Sequence, residues 1–251
     1  MLEQTFIHIP GIGPKTEQAI WEQGVLTWEQ FLNHERPILS PEKDRVIRQE
    51  LTSSLEHRED IHFFLDRLST PDLWRLYPAF RDKTVFLDIE TDGGFQGFDE
   101  ITVIGLYDGW QVQTFINGIN LEAFEEAVLA YELVITYNGS GFDLPCLRRS
   151  FPHLSLPAGH IDLRHLLRRI GLTGGLKAIE KKVGLVREPQ VEGLDGLDAV
   201  RLWRAYQWGD RSSLDRLILY NTMDIVHLKP LMELGFQKMK VLCGPKTLRP
   251  I

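Results

Sequence analysis

VFLDIETDG, residues Val85–Gly93, sets two carboxylates into an apolar run, and the reading of the whole chain starts there. Thr84 to Ile89 has the composition of a short buried strand. Side chains alternate faces along a strand, so Asp88 and Glu90, two residues apart, point the same way at its end. Adjacent anions repel unless they are protonated or bridged by a cation. Hard divalent ions such as Mg²⁺ or Mn²⁺ take oxygen ligands of this kind. Taken alone, Asp-x-Glu is equally compatible with two acids at a solvent-exposed strand end.

Downstream, Ile101–Tyr107 and Gln111–Ile116 form two further strand patterns joined through Asp108-Gly109, a strong hairpin signal. A helix follows over Leu121–Ala130, then a strand over Leu133–Tyr137, a turn at Asn138–Gly141, a helix from about Leu144 to Ser150, a short strand near Ile161 and several helices. A three-strand meander followed by alternating helices and strands predicts an α/β fold, a mixed sheet flanked by helices. Upstream, Glu17–Gln23, Trp28–Asn33, Pro41–Leu55 and Glu59–Leu68 carry helical apolar spacing. The segment between Pro71 and Pro78 has the look of a connection. The expected division is a small all-helical domain over 1–70 and an α/β domain over 71–251.

Two later stretches add acids. In ITYNGSGFDLPCL, Ile135–Leu147, a strand ends in Asn138-Gly139 and Asp143 opens the next helix. Helix capping would account for Asp143, but it accounts less well for Asn138, whose amide at a strand end suits a ligand or phosphate. In LILYNTMDIVHL, Leu217–Leu228, Tyr220 and Asp224 are four apart on one helix face. In isolation that pair reads as a partly buried tyrosine and an exposed acid.

Taken together and in this order, the three stretches resemble the motifs of the DEDD superfamily of 3′–5′ exonucleases. Within it they resemble the YprB-type ribonuclease-H-like proteins of bacteria. Asp88 and Glu90 match the first motif. Asn138, Phe142 and Asp143 match the second. Tyr220 and Asp224 match the third and mark the tyrosine subclass. The resemblance runs from about Lys83 to Leu234 and implies a ribonuclease-H-like mixed β-sheet. Asp92 departs from it, standing where a small or hydroxyl residue is expected and adding an acid beside the first pair.

The resemblance implies a nuclease that hydrolyses phosphodiester bonds with two divalent ions, Mg²⁺ or Mn²⁺, about 4 Å apart. Asp88, Glu90, Asp143 and Asp224 are the implied metal ligands. With Tyr220, which would orient the attacking water, they make up the implied catalytic set. Asn138 and Phe142 are expected near the substrate. Without cations such a site repels a phosphate backbone, so metal dependence also follows from electrostatics.

Between the second and third motifs lie nine basic residues, Arg148, Arg149, Arg164, Arg168, Arg169, Lys177, Lys181, Lys182 and Arg187, against two acids, Asp162 and Glu180. This local excess suggests a phosphate-tracking surface, with Arg148 and Lys177 as substrate contacts, although solvated helix faces explain some of it. Asp162 is expected as a helix cap or ion-pair partner rather than an accessory acid. The glycines of Gly171–Gly175 suit either a close backbone approach to phosphate or a helix break. At the other end, IPGIGPKTEQAI, Ile9–Ile20, resembles a helix-hairpin-helix. Its Gly11 and Gly13 would offer backbone N–H groups to a nucleic-acid phosphate, with Lys15 as a point charge.

The net charge of −7 counts against tight nonspecific nucleic-acid binding by the whole surface, less so if several acids hold metal. Cys146 and Cys243 offer neither a disulfide framework nor a zinc spacing. The first residues lack a secretory pattern, and no apolar run reaches the roughly 20 residues of a membrane span. A cytoplasmic enzyme with no membrane association is expected. It would act on the 3′ end of DNA or RNA, with a helicase or repair protein as a family-level partner. A ribonuclease-H-like endonuclease and a catalytically silent nucleic-acid-binding module are the alternatives. The first is disfavoured because the second acid lies two residues after the first, the second because every motif acid is present.

Overall fold

The computed structural model describes residues 1–94 and 99–246. The chain divides into two compact units, Asp82–Gly235 and a second made of Met1–Arg81 together with residues from Phe236 onward.

The first 81 residues hold α1 (Pro14–Glu22), α2 (Trp28–Leu32), α3 (Pro41–Glu56) and α4 (Ile61–Leu65), and no strand among the described residues. Gly13 precedes α1 in extended conformation and Pro14 opens it, which suits a residue whose missing N–H would be unpaired there anyway. Thr27 and Gln30 close a reciprocal capping box on α2. Phe6, Ile20, Trp28, Phe31 and Phe64 are fully buried at the centre. The segment read as a connection is part of this core. Thr70–Arg75 is a 3₁₀-helix, and Leu73, Trp74, Leu76, Tyr77 and Phe80 are all buried. Its prolines suggested a linker, but its aromatic residues decide its place, because burying large apolar side chains outweighs the loss of regular structure. The unit boundary accordingly falls after Arg81 rather than near residue 71.

The unit Asp82–Gly235 is built on a five-stranded sheet in the order β3-β2-β1-β4-β5. The strands are β1 (Thr84–Thr91), β2 (Ile101–Tyr107), β3 (Val112–Ile116), β4 (Leu133–Thr136) and β5 (Gly159–Asp162). The first three form the antiparallel meander, turning at Asp108-Gly109 with Gly109 at φ 100°, while β1, β4 and β5 run parallel. Helices α5 (Phe124–Val128), α6 (Asp143–Ser150), α7 (Leu163–Arg169), α8 (Leu176–Val183) and α9 (Gly196–Gln207) follow, then α10 (Arg211–Cys243), whose residues through Gly235 belong here.

The period of β1 separates two cores. Val85, Leu87 and Ile89 pack with Phe124, Val128, Leu144 and Leu147 of α5 and α6 on one face. On the other, Val103 and Ile116 meet Ala199 and Trp203 of α9 and Leu217 and Tyr220 of α10. Asp88 and Glu90 alternate with the first set and so lie on the α9–α10 face, near the carboxyl ends of the parallel strands, where ligands of open α/β sheets bind.

Candidate nuclease active site

Asp88, Glu90 and Asp224 each present an oxygen, and these three atoms lie within 4.8 Å of one another. β1 supplies the first two by its alternation. α10 supplies the third, one helical turn after Tyr220. Glu90 and Asp224 are buried, and Tyr220 is only 3 % exposed, so the exposed acid of the isolated reading is not what forms. Burial pushes the Asp88 carboxyl well above the usual range, and Asp224, Asp143 and Glu90 push it further. Glu90 is raised in the same way by burial and by Asp224. Burial also raises Asp224, against the pull of Arg187 and Lys177.

Asp143 stands beside this trio rather than within it. It is the first residue of α6, and its Oδ1 accepts from the backbone N–H of Ile89, between the two β1 acids, at 3.2 Å. Burial raises its pKa to about 7 in spite of that hydrogen bond. Tyr220 keeps its proton, since burial and then Asp224, Glu90 and Asp88 all raise it. Lys177 donates to the Tyr220 hydroxyl, with its ammonium 4.4 Å from the ring centroid. The phenol oxygen thus accepts from a cation and its O–H remains available to donate onward.

Asn138 takes a left-handed backbone, φ 65°, a conformation asparagine tolerates better than most residues. Its Oδ1 accepts from Arg164, and its N–H donates to Asp162 at 2.8 Å. Asp162 also accepts from the Ser140 N–H and hydroxyl and caps α7 through Arg164 N–H. Burial alone would raise Asp162, but these hydrogen bonds lower it, the signature of a buttress for the turn. Asp92 is likewise occupied, its Oδ1 accepting from the N–H groups of Gly94 and Glu100 at 3.0 Å each. Phe142 is half-exposed at the N-cap of α6, and Arg148 is exposed in its last turn.

A cavity of about 710 Å³ opens on the acids, lined by Asp88, Asp224, Tyr137, Asn138, Arg164, Arg168, Lys177 and the backbone-rich stretch Leu172–Leu176. Of the nine basic residues, three face this space. Arg187 does not. Its guanidinium is buried, held by Glu180 at 2.7 and 2.6 Å, and also donates to Asp224. His227 Nδ1 holds Glu180 from behind at 3.0 Å. The expectation of Arg187 as a surface phosphate contact is therefore corrected: a charge count along the chain does not distinguish a solvated guanidinium from one paired inside. Arg187, Glu180 and Asn221, whose Nδ2 donates to Asp88 Oδ2 at 3.0 Å, went unrecognised in the sequence. Only the position of Asn221 beside Tyr220 hinted at a role.

At the N-terminus, Gly11 (φ 81°), Gly13 and Lys15 are all exposed around the turn entering α1.

The mixed sheet, its parallel strands ending at an acidic cluster, is the architecture of a ribonuclease-H-like nuclease. The family model described as RNase_H superfamily matches residues 85–235, and the chain belongs to that superfamily. No curated protein sequence matches it. Three solved structures are among those similar to it. The family B DNA polymerase of the hyperthermophilic archaeon Pyrobaculum calidifontis has 16% identity and TM-score 0.48, over 63% of this chain and 24% of the polymerase. Escherichia coli RNase D, an exoribonuclease involved in structured RNA processing, has 19% identity and TM-score 0.47, over 68% of this chain and 44% of RNase D. Brucella melitensis NrnC, solved with bound Mg²⁺, has 19% identity and TM-score 0.46, over 67% of this chain and 79% of NrnC. The chain thus spans a quarter of the polymerase and less than half of RNase D. No helix among the described residues is long and apolar enough to cross a membrane.

Proposed function

We propose that this nuclease is a metal-dependent 3′–5′ exonuclease of the tyrosine subclass of the DEDD group, hydrolysing phosphodiester bonds of DNA or RNA. The observation that carries the reading is the set of three carboxylate oxygens within 4.8 Å, beside a protonated Tyr220 and open to a cavity walled by Arg164, Arg168 and Lys177. An all-oxygen, net-anionic donor set fits a hard divalent cation, Mg²⁺ or Mn²⁺. Asp88, Glu90 and Asp224 would hold it. Asp143 beside them brings the acids to four, enough to share between two ions. When bound, such ions supply neutralisation of the phosphate and acidification of a water.

The chain's own groups do the rest. Arg164, Arg168 and Lys177 draw the phosphate backbone into the cavity and offset the acids' repulsion. Tyr220, its oxygen occupied by Lys177, directs its O–H toward the reacting water and orients it. The buttressed turn at Asn138 fixes Arg164 at the cavity wall. At the other end of the chain, Gly11, Gly13 and Lys15 would grip a second phosphate through backbone N–H groups and one ammonium.

The test is an oligonucleotide labelled separately at each end, as single strand, duplex and hybrid, with Mn²⁺ or with chelator. The proposal expects a one-nucleotide ladder from the 5′-labelled strand, and release of a labelled mononucleotide from the 3′-labelled one, only with metal. Internal fragments from both labels would replace it with an endonuclease, and unchanged strands with a silent binding module.

A further inference from the structure

We infer that Asn221, admitted by Gly105, is the positioning residue of Asp88. This rests on the reading of Asp88 as a metal ligand. Asn221 lies on α10 between Tyr220 and Asp224 and is 1 % exposed. Its Nδ2 donates to Asp88 Oδ2 at 3.0 Å and reaches the Asp88 backbone carbonyl at 3.3 Å. The amide nitrogen therefore engages both the side chain and the backbone of one residue, fixing the carboxylate rotamer within the acidic cluster. The reversed amide would set its oxygen against the Asp88 backbone carbonyl, two acceptors with no proton between them.

The other end of the amide explains a glycine. Gly105 pairs directly with Asp88 across the antiparallel ladder of β1 and β2, in a strand interior where glycine costs stability. A Cβ built there would lie 2.1 Å from Asn221 Oδ1 and 3.1 Å from its Cγ. The side-chain row of β2 is thus empty where the amide enters. Asn221 Oδ1 has no hydrogen-bond partner among the described residues. A buried unpaired acceptor is costly, and the site accepts that cost to hold one oxygen of Asp88. Groups that orient metal ligands typically change affinity by about 10–100-fold when removed.

The experiment titrates Mn²⁺ into metal-free full-length protein, reading free Mn²⁺ by its electron paramagnetic resonance, with melting temperatures recorded without metal. Asn221→Ala is expected to weaken Mn²⁺ binding roughly 10–100-fold. Gly105→Ala, whose added methyl would meet Asn221 and Ile225 first, is expected to weaken it comparably by expelling the amide. In the Asn221→Ala background Gly105→Ala should add less than about twofold, since the clashing atoms are gone and Ile225 Cδ1, at 3.0 Å, is the movable end of a side chain. Asn221→Ser gives the same readout if the alanine variant does not fold. A lower melting temperature with unchanged Mn²⁺ affinity overturns the inference, because a merely structural amide would behave that way. Fully additive losses overturn the part assigned to Gly105. A wild-type protein that binds no Mn²⁺ overturns the metal reading itself, and this inference with it.

Discussion

Two buried clusters of charge, one in each unit, are built on opposite principles. Glu17 and Arg75 are 1 % and 2 % exposed. Their carboxylate and guanidinium meet through two bonds of 3.0 Å, and Thr5 Oγ1 and Phe6 N–H complete Glu17 at 2.9 and 2.7 Å. Charge balances there, and both Glu17 oxygens accept hydrogen bonds, while only the Arg75 Nε–H is left without a hydrogen-bond partner among the described residues. Around Asp88, Glu90 and Asp224 charge does not balance. One guanidinium, shared with Glu180, reaches Asp224, the Lys177 ammonium bonds the Tyr220 hydroxyl rather than a carboxylate, and Asp88 receives a single side-chain amide. A balanced cluster completes a fold. An unbalanced one holds acids whose repulsion is relieved by protonation or by a bound cation.

The comparison breaks most visibly in activity. Asp224→Asn keeps the shape of the site but removes a charge from the proposed ion site. Its expected loss is at least ~1000-fold in kcat/KM on a labelled oligonucleotide, the scale of removing one strong transition-state electrostatic group. Next comes stability. Arg75→Met strands Glu17 in an apolar interior and should cost about 3–5 kcal/mol by urea unfolding, whereas Glu17→Gln combined with Arg75→Met should recover part of that loss. A near-neutral Arg75→Met would remove the balanced half of the comparison.

Tyr220→Phe leaves the ring packing intact and deletes the O–H. The expected fall is about 10–1000-fold in kcat and in kcat/KM together, measured by steady-state kinetics. A raised KM at constant kcat would place Tyr220 in binding instead.

The smallest effect is pH-dependent. His8 is buried against Trp28 and Phe64, and burial, then Arg67 and Arg75, lower its pKa to about 3. The unfolded chain binds the His8 proton near pH 6.5 and the folded chain does not. His8 therefore contributes its full stability above about pH 6.5 and loses it as pH falls toward 3, by roughly 1 kcal/mol per pH unit. His8→Leu should melt below wild type at pH 7.5, with the gap closing at pH 5. A gap independent of pH would show that His8 does not titrate on unfolding.

What the sequence made legible follows from which forces are local. The strand period placed Asp88 and Glu90 on one face, and helical spacing placed Tyr220 with Asp224. Asp108-Gly109 announced its hairpin, and Asp162 its cap. The pairing of Arg187 with Asp224 across 37 residues left no periodic trace, and neither did the meeting of Gly105 with Asn221, which sequence separation hides entirely. The segment from Pro71 to Pro78 failed for another reason. Its prolines report backbone conformation, while its burial was decided by aromatic area. Asp143 fell between these cases: its helix was legible, but not its bond to the backbone of Ile89.

The central claim is that the Asp88 cluster is destabilising alone and is completed by a divalent cation. Melting wild type and Asp88→Asn at pH 8, each with chelator and with Mn²⁺, tests it directly. The asparagine keeps an acceptor for Asn221 and removes a charge. Wild type should melt at or below the variant in chelator and clearly above it in Mn²⁺, so that the order reverses. A wild type that melts above the variant in chelator and gains nothing from Mn²⁺ would contradict the account.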